Sequence, residues 1–305
     1  MKILGTGLLI SLLSLNSFAQ NNDAAPSNTL LWKISGNGLE KPSYLFGTIH
    51  MLCKDDAFIS KNLKNAISNA DKVYLELDMD NMFEMLGVMG KMKMNNDTTL
   101  ADLLSPEDYK KVKEYFEQGN SLLPFSMLET YKPMVATSML AQSSMSCDQT
   151  VAMEQLIMEE ASDKKIEIKG LETMAYQMSI FDSIPYKVQA LELLKMINAG
   201  DSTNEGEKNE LDELMKAYKE QNLEKLATML GSSDDMLLQY RDILLNNRNK
   251  NWVEKLNKIM PGKSLVIAVG AGHLPGEKGV INLLRKEGYK VEPVENKKKA
   301  KLIEI

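Results

Sequence analysis

The sequence predicts an α/β fold: a central mixed sheet of short strands, flanked by many helices, with a largely helical middle region. Short apolar or alternating runs bounded by turn residues predict strands near both ends of the chain. Helix-period apolar patterns fill most of residues 80–160 and 172–259. Strands that alternate with helices are typical of a sheet covered on both faces.

The individual elements follow from local signals. The predicted strands are short and apolar or alternating, and they cover residues 30–35, 43–46, 73–77, 165–169, 264–269 and 290–294. The first two are separated by Gly36-Asn37-Gly38 and predict a hairpin. The continuously apolar run 264–269 is expected to be buried on both faces.

Helix starts are marked by capping residues. Ser60 is a plausible N-cap for a helix over about residues 60–70. Ser105-Pro106 followed by two acids predicts a second helix start. A short helix over about residues 277–287 precedes the last strand, and the strand over residues 165–169 is expected to end at Gly170.

The N-terminus predicts export. Lys2, an apolar run over residues 3–15 and the small residues around Ala19 have the pattern of a secretory signal peptide, and the run is too short to span a membrane. We expect an exported protein, periplasmic or secreted, without a transmembrane segment. The predicted organisation is a signal peptide at 1–19, a flexible leader at 20–28, one α/β domain at 29–296 and a basic tail at 297–305.

Charge argues against a nucleic-acid partner. The formal net charge is −6, with 36 basic and 42 acidic residues. Binding to nucleic acid requires a dense basic face, and the tail is basic but short. The sequence does not indicate the oligomeric state.

The two cysteines, Cys53 and Cys147, form an even pair in a chain predicted to be exported. Disulfides persist in oxidising compartments. We therefore expect a Cys53–Cys147 bridge, which would brace the loop that follows His50. Two separate buried thiols are the alternative.

The chain contains two histidines, His50 and His273, and each ends a Gly-x-x-His motif after an apolar strand. Glycine permits a tight turn and a close approach of the backbone to a ligand. Ligands of parallel sheets gather beyond the carboxyl ends of the strands. We predict that one sheet brings the two imidazoles together into one site. The alternative is that each is an ordinary core or surface histidine.

An acid is expected to complete this site, because carboxylates usually accompany histidine in metal sites. Glu76 is the best candidate, since it lies in an otherwise apolar strand where an unpaired carboxylate is expensive to bury. Asp78 would point to the same face and is the second choice. An ordinary outward-facing strand residue is the alternative for Glu76.

Arg248 and Asn249 are candidates for a supporting role. Arginine can clamp a carboxylate or stabilise an oxyanion, and asparagine can donate an amide hydrogen bond. A solvated helix face explains their spacing equally well. Asp148 and Glu172 are further acids for which a structural role is the simpler interpretation.

Several segments resemble the TraB/GumN family, which includes the Tiki-type proteases. They are residues 47–50, 74–77, 170–173, 247–249 and 270–276. The resemblance covers about residues 29–296 and implies a fold similar to the erythromycin-esterase and ChaN-like folds. Tiki-type members are described as divalent-metal-dependent proteases acting on secreted signalling proteins, whereas a ChaN-like relative binds haem and many bacterial members have no assigned activity.

By that resemblance, His50, His273 and Glu76 would bind Mn²⁺, Co²⁺ or Zn²⁺, supported by Arg248 and Asn249. The leading hypothesis is an exported metal-dependent hydrolase that acts on a peptide or protein, with Glu76 as ligand or general base. The chain lacks the His-Glu-x-x-His helix of common metalloproteases. Two alternatives stay open: an esterase-like hydrolase without a metal, and an envelope protein that captures a peptide, haem or metal without turnover.

Overall fold

The computed structural model describes residues 28–79, 81, 84, 87–118, 123–143, 145, 147–201, 205–232 and 236–298. The predicted signal peptide, nearly all of the predicted leader and most of the predicted basic tail lie outside these residues. No helix in this part of the chain combines the length and hydropathy that crossing a membrane requires.

Strands and helices alternate near both ends of the chain, and helices dominate the middle. The strands are β1 (Leu31–Gly36), β2 (Ser43–Thr48), β3 (Leu52–Cys53), β4 (Lys72–Leu77), β5 (Thr150–Val151), β6 (Glu167–Glu172), β7 (Leu265–Gly270) and β8 (Tyr289–Val294). The first helices are α1 (Lys61–Ser68), α2 (Leu100–Leu103), α3 (Pro106–Gln118), α4 (Phe125–Leu128), α5 (Pro133–Ser143), α6 (Met153–Asp163) and α7 (Met174–Asp182). The later helices are α8 (Tyr186–Asp201), α9 (Glu205–Lys219), α10 (Leu223–Ser232), α11 (Met236–Gln239), α12 (Asn247–Ile259) and α13 (Val280–Lys286). Shorter helical turns are the 3-10 helices Met89–Lys91 and Ala271–His273 and the π-helix Asp242–Asn246.

Six of the described strands form the central sheet, in the order β6-β4-β7-β2-β1-β8. β6, β4, β7 and β2 are parallel neighbours, and β1 is antiparallel to both β2 and β8. The predicted mixed sheet and the predicted hairpin of β1 and β2 are confirmed. Strand β7 comes late in the chain and lies between two early strands, so it joins the two ends of the sequence.

The sheet is buried on both faces, as the apolar run in β7 predicts. Val266 and Ala268 pack into one cluster with α1, α6, α9 and α10. Leu265, Ile267 and Val269 pack into the opposite cluster with α12 and α13. A separate apolar cluster joins helices α2 to α5 with α8 and accounts for the helical middle.

Both predicted helix caps are confirmed. The Ser60 hydroxyl accepts a hydrogen bond from the Leu63 backbone N–H at 3.1 Å. The Ser105 hydroxyl accepts one from the Asp108 N–H at 3.1 Å, directly before α3. Side-chain acceptors at these positions satisfy backbone donors that a helix start otherwise leaves unpaired.

The predicted end of one strand at Gly170 is wrong, because β6 continues to Glu172. A side-chain carbon on Gly170 would lie 2.7 Å from the Asp78 backbone nitrogen. Gly170 therefore allows β6 to approach the backbone at the end of β4 closely, and it does not end the strand.

The predicted disulfide between Cys53 and Cys147 is confirmed. It lies beside a two-stranded sheet in which β3 pairs antiparallel with β5. The bridge and this small sheet together attach the loop after His50 to the segment that leads into α6.

Candidate functional site

Four parallel strands end side by side and carry the acidic and imidazole groups. In sheet order, β6 ends at Glu172, β4 carries Glu76 one residue before its end, and β7 and β2 are followed by His273 and His50. The predicted meeting of both Gly-x-x-His motifs at one sheet edge therefore has its structural basis in the pairing of β2 with β7.

The two Gly-x-x-His turns pack directly on each other. A side-chain carbon on Gly47 would lie 3.1 Å from Leu274 Cδ2 and 3.2 Å from Ala271. One on Gly270 would lie 3.3 Å from Glu76 Oε1. Neither glycine has a positive φ. Glycine therefore suits both positions because the neighbouring atoms leave little room for a side chain, and not because the backbone is left-handed.

Glu76 is buried, with 8% of the residue exposed, so the outward-facing alternative is wrong. Its Oε1 accepts a hydrogen bond from the Gly270 N–H at 2.8 Å, and its Oε2 accepts one from Arg248 Nη2 at 2.6 Å. Burial raises the pKa of the Glu76 carboxyl, but His273, Arg248 and the Gly270 N–H outweigh it and lower the pKa to about 2. The group is therefore ionised at neutral pH.

Arg248, near the start of α12, links two carboxylates. Its Nη2 donates to Glu76 and also to Glu172 Oε1, and its Nε donates to Glu172 Oε1 at 3.0 Å. Its Nη1 donates to the Leu244 carbonyl in the π-helix at 3.1 Å and lies 3.2 Å from His273 Nε2. Burial acts to lower the pKa of Arg248, but the two carboxylates raise it overall. The solvated-face alternative is wrong for this residue, which is 7% exposed.

Asn249 fixes the orientation of His273. Its Nδ2 donates to the His273 carbonyl at 3.3 Å and the Lys278 carbonyl at 2.9 Å, so its Oδ1 is the atom 2.6 Å from His273 Nδ1. This amide oxygen can only accept, which assigns the proton to Nδ1 and a lone pair to Nε2. Burial lowers the pKa of His273 to about 4, so the ring is neutral at neutral pH. Its Nε2 lies 3.8 Å from Glu76 Oε1.

His50 follows the neighbouring strand β2 and pairs with a different acid. Its side chain is 71% exposed, and its Nδ1 is 2.9 Å from Glu154 Oε1. Glu76, in contrast, forms an ion pair with Arg248 and has the neutral ring of His273 3.8 Å away. The contact with Glu154 raises the pKa of His50 to about 9, so the ring is protonated at neutral pH. Partial loss of hydration opposes this rise in the pKa, and the charges of Glu76 and Arg248 contribute less.

Two acids in this region carried little or no signal in the sequence. Glu172 accepts hydrogen bonds from Arg248 and from Trp252 Nε1, the latter at 3.0 Å. Burial raises its pKa, although Arg248 opposes this. Its position one strand from Glu76 only becomes informative once β4 and β6 are paired. Glu154 lies in the first turn of α6, where an acid is ordinary because it favours the helix dipole.

A model of the TraB/PrgY/gumN family matches residues 30–293. The chain belongs to this family. The resemblance seen in its motifs is thereby confirmed over nearly the same span.

Among curated proteins, relatives of this TraB/PrgY/gumN chain are named as metalloproteases. "Metalloprotease TIKI1" of Danio rerio is 23% identical over 89% of the chain and 64% of that protein. "Metalloprotease TIKI1" of Homo sapiens is 24% identical over 87% of the chain and 62% of that protein. "Metalloprotease TIKI homolog" of Nematostella vectensis is 22% identical over 90% and 69%, respectively. The chain thus spans less than two thirds of the length of the first two relatives. No solved structure matches.

These names raise the question of whether the TraB/PrgY/gumN residues fit a metal. His273 Nε2 and Glu76 Oε1 are suitable donors 3.8 Å apart, and Nε2 carries a lone pair. Arg248 contacts both residues, and His50 is paired with Glu154. Within the described part of the chain, no group of three or more His, Cys, Asp or Glu side chains is arranged to hold a metal ion. Two of the three predicted ligands are therefore adjacent, and the complete set stays a prediction.

Proposed function

We propose that the protein is an exported hydrolase that cleaves peptide substrates with the help of a divalent cation. The observation that carries this proposal is the neutral, oriented imidazole of His273 beside the ionised carboxylate of Glu76. The metalloprotease names of the relatives support the reaction class. The disulfide supports export, because such bridges persist in oxidising compartments.

His273 and Glu76 would hold the cation, which would be Mn²⁺, Co²⁺ or Zn²⁺. His50 would join them on losing the ring proton that Glu154 stabilises. When bound, such a cation polarises a carbonyl and lowers the pKa of a water molecule. A pKa of about 2 makes Glu76 a poor general base at neutral pH, since an efficient base has a pKa near the working pH. The role of ligand therefore suits Glu76 better than that of base.

The neighbouring residues would position these groups. Asn249 keeps the proton on His273 Nδ1, so Nε2 has the lone pair that a cation would need, and this lone pair now faces Arg248 Nη1 at 3.2 Å. Arg248 carries a charge that can stabilise an oxyanion as it develops, and Glu172 holds its guanidinium in place. Trp252 also lies against the site, with Arg248 4.7 Å from its ring centre.

Elemental analysis and peptide cleavage test this proposal together. Purified wild-type protein is expected to carry a divalent metal and to cleave an unfolded peptide. His50→Ala, His273→Ala and Glu76→Gln are expected to lose both properties. Lys250→Ala, whose side chain is 74% exposed on the same helix as Arg248, is the matched control. Metal-replete protein with no bound metal and no hydrolysis of peptide and ester panels would refute the proposal.

A metal-independent hydrolase is the second candidate. The observation that favours it is Arg248, whose positive charge already balances that of Glu76 without a metal ion. General acid–base catalysis would then involve the histidines. Cleavage that survives a strong chelator, in protein shown to be free of metal, would favour this candidate over the first.

A further inference from the structure

Glu154 is a buried acid that has no catalytic role in the proposed reaction as described above. Its side chain is 8% exposed, and its Oε1 lies 2.9 Å from His50 Nδ1. Apart from this ion pair, its two buried oxygens have no hydrogen-bond donor among the described residues. Burying a carboxylate without a partner is costly, so the contact with His50 is the interaction that offsets this cost.

The backbone holds the two side chains next to each other. The Met153 N–H donates to the Ile49 carbonyl at 3.1 Å, so a backbone hydrogen bond joins the residue before Glu154 to the residue before His50. The pairing of β3 with β5 and the Cys53–Cys147 disulfide join the same two segments at further points. The loop that carries His50 and the start of α6 therefore form one braced unit.

Both histidines have an oxygen atom close to Nδ1, through a hydrogen bond for His273 and through an ion pair for His50. The Nδ1 of His273 lies 2.6 Å from an oxygen of Asn249, and the Nδ1 of His50 lies 2.9 Å from an oxygen of Glu154. In metal-binding histidines, an acceptor at one ring nitrogen commonly orients the other toward the metal. The exposed ring of His50 lacks the surrounding packing that restrains the buried ring of His273. The orientation of His50 therefore depends more strongly on its Nδ1 contact.

We propose that Glu154 is the positioning residue for His50 and that it directs the Nε2 of His50 toward the cluster of His273 and Glu76. The consequence for catalysis rests on the proposed function. The positioning itself does not, because it can be measured without any activity.

Nuclear magnetic resonance of the histidine rings measures this directly, because the chain has only two histidines. In the full chain with labelled histidine, Glu154→Ala is expected to shift the ring nitrogens of His50 and to speed the exchange of its Nδ1 proton. The signals of His273 are expected to stay in place, which also reports that the fold is intact. Glu154→Gln keeps an oxygen acceptor and is expected to keep the exchange of the Nδ1 proton slower than in Glu154→Ala.

Glu159→Ala is the matched control, since Glu159 is an exposed acid on the same helix. It is expected to leave both histidines unchanged. Signals of His50 that are the same in Glu154→Ala and wild type would overturn the proposal. A loss in Glu154→Gln as complete as in Glu154→Ala would also overturn it, because positioning by an oxygen atom beside Nδ1 predicts rescue by glutamine.

Kinetics supply the second readout. Glu154→Ala is expected to lower kcat about 10–100-fold, the usual effect of removing a residue that orients a ligand, while KM stays near the wild-type value. A rise in KM with unchanged kcat would contradict positioning. If the wild-type chain shows no hydrolysis at all, the proposed function fails, whereas the ring-nitrogen signals still decide the role of Glu154.

Discussion

Replacing Arg248 with methionine tests whether the buried charge network holds the site together. Methionine fills part of the same space but leaves Glu76 and Glu172 as buried carboxylates without their shared cation. Removing one partner of a buried ion pair costs about 3–5 kcal/mol. A domain the size of the matched segment, residues 30–293, has an unfolding entropy of roughly 0.55 kcal/mol per kelvin. The thermal midpoint is therefore expected to fall by roughly 5–9 °C.

The pH dependence of this loss identifies its cause. Without Arg248, burial is expected to hold the folded-state pKa of both carboxyls above the unfolded value of about 4.3. A raised folded-state pKa contributes stability that is present below the unfolded value and is lost as the pH rises. The difference between variant and wild type is therefore expected to be larger at pH 8 than at pH 5.

Thermal denaturation followed by circular dichroism at both pH values is the assay. Lys250→Met is the control, because its exposed side chain on the same helix predicts a change within about 0.5 kcal/mol. A fall in the Arg248→Met midpoint of less than about 2 °C, or an equal fall at both pH values, would refute the reasoning.

The remaining predictions concern His273, the disulfide and Gly170. Because burial lowers the pKa of His273 to about 4, stability is expected to be lost as the pH falls from 6.5 toward 4, by on the order of 3 kcal/mol, and His273→Gln should flatten that slope in denaturant titrations. Replacing Cys53 and Cys147 with serine is expected to cost about 2–5 kcal/mol, since the bridge spans 94 residues, and reducing the wild-type protein should give the same denaturation midpoint. Gly170→Ala is expected to cost about 1–3 kcal/mol by overpacking, whereas Gly90→Ala, with nothing within 4 Å, should leave the unfolding free energy nearly unchanged.

Much of the fold could be predicted because its signals are local. The apolar run that becomes β7 indicated a strand buried on both faces, and both faces are indeed packed. Ser60 and Ser105 marked helix starts through side-chain chemistry that acts within three residues. The prediction that a strand ends at Gly170 was wrong because this glycine permits a close contact with backbone that is distant in the sequence, at Leu77 and Asp78.

The sequence by itself determined which residues stand at the ends of strands. Both histidines follow apolar strands, and Glu76 lies inside one, so the burial of Glu76 and the position of all three residues at a sheet edge follow from patterns of a few residues. The prediction that nucleic acid is not a partner and the prediction of a disulfide between the two cysteines required only composition and the predicted signal peptide.

Only the tertiary structure determined which side chains of the candidate site pair with each other. The sheet order β6-β4-β7-β2 places Glu172 and Glu76 on one side of His273 and His50 on the other. Arg248 then reaches both acids from α12, and Glu154 reaches His50 from α6. Strand order and helix docking come from burying apolar faces across long sequence separations, so no local pattern records them. The position of these residues at the sheet edge was therefore predictable, whereas the division into a buried His273 cluster and an exposed His50–Glu154 pair was not.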